Sequence, residues 1–260
     1  VVLRANTLKN NKKSLQQSLF EEHIETHTIK GYTDALELDE RANVFSTQAF
    51  KNGLFEVQDA SSQLVAEFLE VEPGMRVVDT CAGAGAKSLH LAALMENKGQ
   101  VIALDIYGNK LKELKRRAKR AGAHNIETRV IDNNKVIKKL HGKADKVLID
   151  APCSGLGVLS RNPDAKWKLE PEFLDRIRKT QQEIIRQYSK IVKKGGKMVY
   201  ATCSVLPSEN QLQVKDFLAS EEGKDFKLIE DRKILSSETG YDGFYMALLE
   251  KSDSKTSEQV

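Results

Sequence analysis

The stretch "EPGMRVVDTCAGAGAKS", Glu72–Ser88, decides the fold. A Pro-Gly turn enters a short apolar run that ends on Asp79, two glycines follow, and a helical pattern begins near Ala86. Similar apolar runs recur downstream: "QVIALD" (Gln100–Asp105), "IETRVID" (Ile126–Asp132), "KVLID" (Lys146–Asp150) and "GKMVYATCS" (Gly196–Ser204). Helical patterns separate them over Ala86–Asn97, Tyr107–Ala121, Pro171–Lys194 and Ser208–Leu218. Strands alternating with helices predict an α/β fold with a mostly parallel sheet joined by right-handed crossovers. Two later strands, "FKLIE" and "GFYMALLEK", are joined by a loop alone, which leaves the last strand free to pair antiparallel.

The texture before Glu72 differs. "VVLRANT" reads as a strand, "NKKSLQQSLFEEH" as an amphipathic helix with apolar Leu15, Leu19 and Phe20, and "IETHTIKGYTDALEL" as extended chain. These predict a small N-terminal α/β domain over residues 1–51, followed by a linker-like "KNG" and a main domain over 52–251. The polar ending, 252–260, reads as a disordered tail. The opening on Val1-Val2-Leu3 without a methionine suggests that an upstream domain precedes this one.

Composition narrows the function. No apolar run approaches the roughly 20 residues that span a bilayer, and no signal peptide opens the sequence. Three cysteines without metal-ligand spacing and five scattered histidines argue against disulfides and against a metal site. The cysteine usage points to a reducing cytoplasmic setting and the chain is expected to be a monomer. The net charge of +4 is uneven: from Glu209 onward 12 acids face 7 bases, so Val1–Ser208 carries +9. The densest basic segment, "KLKELKRRAKRAG" (Lys110–Gly122), is by itself a solvated helix face, but a second basic stretch, Arg161–Lys197, favours a polyanionic partner.

The glycine loop lacks a phosphate signature. Ser88 stands where a dinucleotide fingerprint needs its third glycine, and Cys81 and Ala86 stand where a P-loop needs its two. A tight turn needs no ligand, but Asp79, Asp105, Asp132 and Asp150 close four successive strands, and such ends line one crevice. Asp105 is placed to hold ribose hydroxyls and Asp132 to reach an adenine amino group. Acids suit a sulfonium cofactor without phosphates, such as S-adenosylmethionine. Two thiols follow the next strand ends, Cys153 in "DAPCSG" and Cys203 in "ATCS". If their strands are neighbours, the thiols face each other across the crevice. Cys81, in a tight turn, reads as a small packing residue. A thiolate is a soft nucleophile suited to carbon 6 of a pyrimidine, whose carbon 5 then becomes nucleophilic enough to take a methyl group. Asp150 is placed to stabilise such an adduct near ring nitrogen 3.

"DTCAGAGAKS", "ALD", "VID", "DAPCSGLGVLSRNPDAKWKL", "YATCSVLPSEN" and "DGFYMALLEK" together resemble the RNA (cytosine-5) methyltransferases of the Sun/Fmu group, and "LRANTLK" and "VQDASSQL" resemble that family's N-terminal markers. The resemblance covers nearly the whole chain. It implies a Rossmann-like class I methyltransferase with a seven-stranded sheet, S-adenosylmethionine as cofactor and a small domain that helps hold RNA. It implies that Cys203 attacks the base and that Cys153 assists release of the product. It places Cys81, Ala82, Gly83, Ala84, Gly85, Ala86, Lys87, Asp105, Asp132 and Asp150 among the cofactor-contacting positions.

Two departures stand out: Ala84-Gly85-Ala86 replaces the family's frequent Pro-Gly-Gly, and Lys110 stands where members commonly carry arginine. Ribosomal RNA is the expected substrate, with transfer RNA the alternative. A non-catalytic RNA-binding assembly factor, a DNA cytosine-5 enzyme and a dinucleotide-dependent oxidoreductase are competing readings. The paired thiols and the missing third glycine count against them. Trp167, between two lysines, either stacks on a base or packs on a neighbouring helix.

Overall fold

A computed structural model describes residues 1–253. Among the described residues eleven strands form: β1 (Val2–Ala5), β2 (Thr26–Thr28), β3 (Ala35–Leu38), β4 (Phe55–Val57), β5 (Arg76–Asp79), β6 (Gln100–Asp105), β7 (Ile126–Val130), β8 (Ala144–Asp150), β9 (Val192–Thr202), β10 (Phe226–Ile234) and β11 (Phe244–Lys251). The helices are α1 (Lys12–Glu21), α2 (Gln48–Lys51), α3 (Ala60–Glu67), α4 (Ala86–Leu94), α5 (Gly108–Ala121), α6 (Asn134–Lys138), α7 (Ala165–Lys168), α8 (Pro171–Ser189), α9 (Gln211–Leu218) and α10 (Ser236–Thr239).

The main sheet has seven strands in the order β10-β11-β9-β8-β5-β6-β7. Its five strands from β9 to β7 are parallel, while β11 pairs antiparallel with both β9 and β10. The parallel strands are those expected from the alternating pattern, and the seven-stranded Rossmann-like whole is the one that the resemblance implies. Side chains alternate across it with period two: Val77, Val101 and Leu148 join the core beneath α3–α5, whereas Val78, Ile102 and Ile149 join the core beneath α8 and α9. Both faces are therefore covered, as a parallel sheet requires. On α5, Leu111, Leu114, Ala118 and Ala121 form the buried stripe, and each leucine contributes about 1.5–3 kcal/mol by leaving water.

The N-terminal sheet runs β2-β3-β1-β4 and is antiparallel throughout. Asn11 caps α1 by accepting from the Ser14 N–H, and Leu15 and Leu19 are buried against Leu3, Leu36 and Phe55, while Phe20 is exposed. The expected domain limit at Lys51 falls short, because β4 pairs with β1 beyond it and the small sheet ends at Val57. "KNG" is a packed turn rather than a linker: a Cβ on Gly53 would lie 2.0 Å from the Arg120 carbonyl oxygen of α5. α8 also ends sooner than Lys194, since Ile191 and Val192 are fully buried and Val192 already pairs with Ala144. Of the expected tail, Ser252 donates its N–H to the Asp225 carbonyl (2.7 Å), and 254–260 lie outside the described residues. Among the described residues no helix is long and apolar enough to cross a membrane.

Candidate active site

The strand order reverses around β5. From β5 the chain moves outward to β6 and β7, then returns to place β8 on the other side of β5. Ligands of open α/β sheets bind at this switch point, outside the carboxyl ends of the strands. Register fixes what meets there. Asp79 of β5 lies beside Leu148 of β8, and Asp150 lies beside Ala201 of β9. The Ala151 N–H donates to the Ala201 carbonyl (2.8 Å), so the turns after β8 and β9 leave the sheet side by side. Each thiol sits two residues beyond that paired position, and the Sγ atoms of Cys153 and Cys203 are 3.3 Å apart. The two thiols anticipated on neighbouring strand ends thus do meet, both half-buried.

Their electrostatics differ. The hydrogen bond from the Cys153 thiol, helped by the Lys87 ammonium, holds Cys203 below the ordinary thiol range against burial and the Asp150 charge. The same hydrogen bond, together with burial, pushes Cys153 well up. Both shifts favour losing the proton from Cys203 before Cys153. Burial and the nearby Asp79 also push Cys81 up, which suits an inert packing thiol.

Lys87, in the first turn of α4, donates to Asp150 Oδ2 at 2.6 Å. Although burial opposes it, the Asp150, Cys203 and Asp79 charges raise the Lys87 pKa, so the ammonium stays charged beside the thiols. Asp79 is buried; Ser88 Oγ donates to its Oδ2 (2.6 Å), while Oδ1 has no hydrogen-bond partner among the described residues. Burial, only partly offset by Ser88, pushes its carboxyl up to about 7.

The glycine loop is held open by its acids. Asp105 accepts from the Gly83 N–H (2.8 Å) and the Tyr107 N–H (2.7 Å), and each oxygen keeps a further lone pair. Gly83 has φ +55°, and a Cβ there would meet nothing within 4 Å, which leaves the space over the loop clear for a ligand. An open cradle, a carboxylate with spare acceptor capacity at its rim and the orphaned Asp79 oxygen fit a cationic nucleoside cofactor bound across Cys81–Lys87. Asp132 lies one residue beyond Ile131 after β7, exposed, where it accepts from Asn133 Nδ2 (2.8 Å). Lys110 is exposed with its Nζ 4.7 Å from the Tyr107 ring centroid, so it faces solvent. Trp167 is 81% exposed, which removes the alternative that it packs on a neighbouring helix.

Two buried glutamates escaped the sequence reading. Glu209 is fully buried and accepts from the Ser154 N–H (2.8 Å), Ser154 Oγ (2.6 Å), Gln181 Nε2 (3.1 Å) and Ser204 Oγ. Glu56 of β4, 2% exposed, accepts from Arg117 (Nη2, 2.8 Å) and Arg120 (Nη2, 2.5 Å) of α5. Arg117 also donates to the Ala84 carbonyl of the glycine loop (2.9 Å). The basic segment is thus divided: Arg117 and Arg120 turn inward, while Lys112, Lys115, Arg116 and Lys119 are exposed.

A doubly covered parallel sheet with an antiparallel final pair and this crevice defines a Rossmann-like methyltransferase. Comparison with known proteins narrows this. The family described as 16S rRNA methyltransferase RsmB/F matches residues 66–250, and the chain belongs to that family. It is 34% identical to the probable ribosomal RNA small subunit methyltransferase B of Bacillus subtilis (strain 168), over 96% of this chain and 59% of that protein. It is 36% identical to the corresponding protein of Synechocystis sp. (strain ATCC 27184 / PCC 6803 / Kazusa), over 85% of this chain and 50% of that one. The crystal structure of PH0851 superposes with a TM-score of 0.91 at 32% identity, covering 96% of this chain and 59% of that one. The chain thus spans between half and three fifths of the length of these relatives.

Proposed function

We propose that this protein methylates carbon 5 of a cytosine in small-subunit ribosomal RNA, with Cys203 as the attacking thiol and Cys153 as the thiol that assists release. The observation that carries this reading is the 3.3 Å pairing of Cys153 and Cys203 beside the Lys87–Asp150 ion pair, at the mouth of the crevice. The cofactor is S-adenosylmethionine, which supplies an electrophilic methyl group; Cys81–Lys87, Asp105, Asp132 and Asp150 would hold it.

Cys203 Sγ adds to carbon 6, and the electron pair moves to carbon 5, which becomes nucleophilic enough to accept the methyl group that S-adenosylmethionine would supply, its sulfur keeping the electrons of the broken bond as the neutral thioether. Asp150 and its partner Lys87 stabilise the adduct at the base edge near ring nitrogen 3. Solvent takes the proton from carbon 5, its electron pair re-forms the carbon 5–carbon 6 double bond, and the Cys203–carbon 6 bond breaks with its electrons departing on the thiolate. Cys153, held 3.3 Å away and protonated, donates its hydrogen bond to that departing sulfur. A base inside a helix must be unstacked to reach the thiols, and the exposed lysines of α5 would grip the flanking phosphates. Trp167, at 81% exposure, is available to stack on a base.

Cys203→Ala should lose all methyl transfer, and Cys153→Ala should accumulate a covalent RNA–protein adduct visible on a denaturing gel. The double variant should form none. Normal turnover by Cys153→Ala, or an adduct with Cys203→Ala, would overturn the assignment of roles. Incubating total RNA from a deletion strain with this protein and mapping 5-methylcytosine should identify a cytosine in 16S rRNA; modification of transfer RNA alone would refute the substrate.

A further inference from the structure

Neighbouring strands bring two turns close, but a register of hydrogen bonds does not fix side-chain atoms to within a few tenths of an ångström. A catalytic pair needs that precision, and its supporting residues must supply it. The thiol turns carry one serine each, immediately after the thiol: Cys153-Ser154 and Cys203-Ser204. Both serine hydroxyls converge on Glu209 Oε2 and lie 3.1 Å from each other. Glu209 Oε1 accepts from the Ser154 N–H, and also from Gln181, whose Nε2 reaches the Pro152 carbonyl as well (2.9 Å). Asn210 completes the frame around Cys203: its Oδ1 accepts from Thr202 Oγ1 (2.5 Å) and its Nδ2 donates to the Ser204 carbonyl (2.9 Å). Glu209 itself is pinned, because Tyr200 donates its hydroxyl to the Glu209 backbone carbonyl (2.8 Å).

Among the described residues no lysine or arginine pairs with Glu209. A fully buried carboxylate is costly unless every lone pair is used, so the four donors are a condition of its being there. Its negative charge adds to the forces that keep the Cys153 thiol protonated. We propose that Glu209 is a positioning residue for methyl transfer, whose single carboxylate clamps the two thiol turns through Ser154 and Ser204 and so sets the Cys153–Cys203 separation. Glu209 touches neither thiol sulfur and acts through the serines. The consequence for the reaction rests on the function proposed above, whereas the consequence for the thiol spacing does not.

Phenylarsine oxide tests the spacing directly, since its arsenic bonds two thiols and releases water only if both sulfurs reach it together. Glu209→Ala and, as a variant less demanding of the fold, Ser154→Ala with Ser204→Ala are compared with Glu209→Gln. In the Gln variant the amide oxygen keeps the Ser154 and Gln181 donors, and the serine hydroxyls can rotate to accept from its NH2 group. All variants should bind S-adenosylmethionine as the unaltered protein does. Glu209→Ala and the double-serine variant should capture the arsenical about tenfold more slowly and turn over about 10²-fold more slowly with RNA KM unchanged, while Glu209→Gln recovers most of the capture rate. Unaltered capture in both Glu209→Ala and the double-serine variant would overturn the clamp. So would a loss of cofactor binding in step with capture across all three, because that marks a general loss of structure. If the unaltered protein methylates no cytosine, the proposed function fails, yet the capture series still decides for or against the clamp.

Discussion

Glu56 and Glu209 are both buried carboxylates, at 2% and 0% exposure, and they are held in opposite ways. Glu56 joins two units: it sits on the small sheet and pairs with Arg117 and Arg120 of the main domain. Glu209 joins two turns of one crevice and uses only neutral donors. A buried ion pair tolerates some movement because Coulomb attraction falls slowly with distance, and it serves to dock one body on another. Hydrogen bonds weaken steeply with angle and distance, so a set of four from neutral donors to one carboxylate fixes geometry more tightly. The docking contact reaches the site as well, since Arg117 also holds the Ala84 carbonyl of the glycine loop.

The largest expected effect breaks the Glu56 side of this contrast. Glu56→Ala strands two inward-facing guanidinium groups and should lower unfolding free energy by about 3–5 kcal/mol in urea. A loss under about 1 kcal/mol would show that the arginines simply turn to water.

Asp79 provides the intermediate case, a buried acid with one serine donor and one unpartnered oxygen. Its folded pKa, pushed to about 7 chiefly by burial, lies above its unfolded value near 3.8. Between about pH 4 and 7 the unfolded chain has lost this proton while the folded chain keeps it, so the contribution to stability falls as pH rises. The stability difference between the unaltered protein and Asp79→Asn should therefore shift by about 4 kcal/mol across that window, in favour of the variant at higher pH. Urea titrations at several pH values check this, and parallel curves would remove Asp79 from the account.

Glu209→Gln should be milder, about 1–2 kcal/mol, because the amide retains part of the acceptor set. A loss as large as that of Glu56→Ala would erase the distinction between the two glutamates. The smallest effect concerns the outward face of the same helix. Lys115→Ala should change stability by less than about 0.5 kcal/mol, yet lower the salt slope of RNA binding by about 0.7–0.9. An unchanged slope would place the RNA elsewhere.

The site was partly legible before the structure. The glycine loop, the strand-end acids and both thiols could be found in the sequence because each follows its strand directly, so local pattern and position coincide. Glu209 could not, since its donors Ser154 and Gln181 lie 55 and 28 residues away. The inward turn of Arg117 and Arg120 was hidden for a similar reason: their partner, Glu56, lies 61 and 64 residues away. The limit of the small domain was misplaced because Gly53 resembles a linker residue, when it marks a close approach of backbones.

By itself the sequence determined the alternating α/β architecture, since a period of two or 3.6 is written in local hydrophobicity. It also determined which side chains stand at the strand ends. Only the tertiary structure decided that β8 and β9 are neighbours, that their thiols lie 3.3 Å apart, and that one buried carboxylate spans both turns. Those facts depend on strand order and on contacts between residues far apart in the chain, where hydrogen-bond geometry rather than local pattern selects the partner.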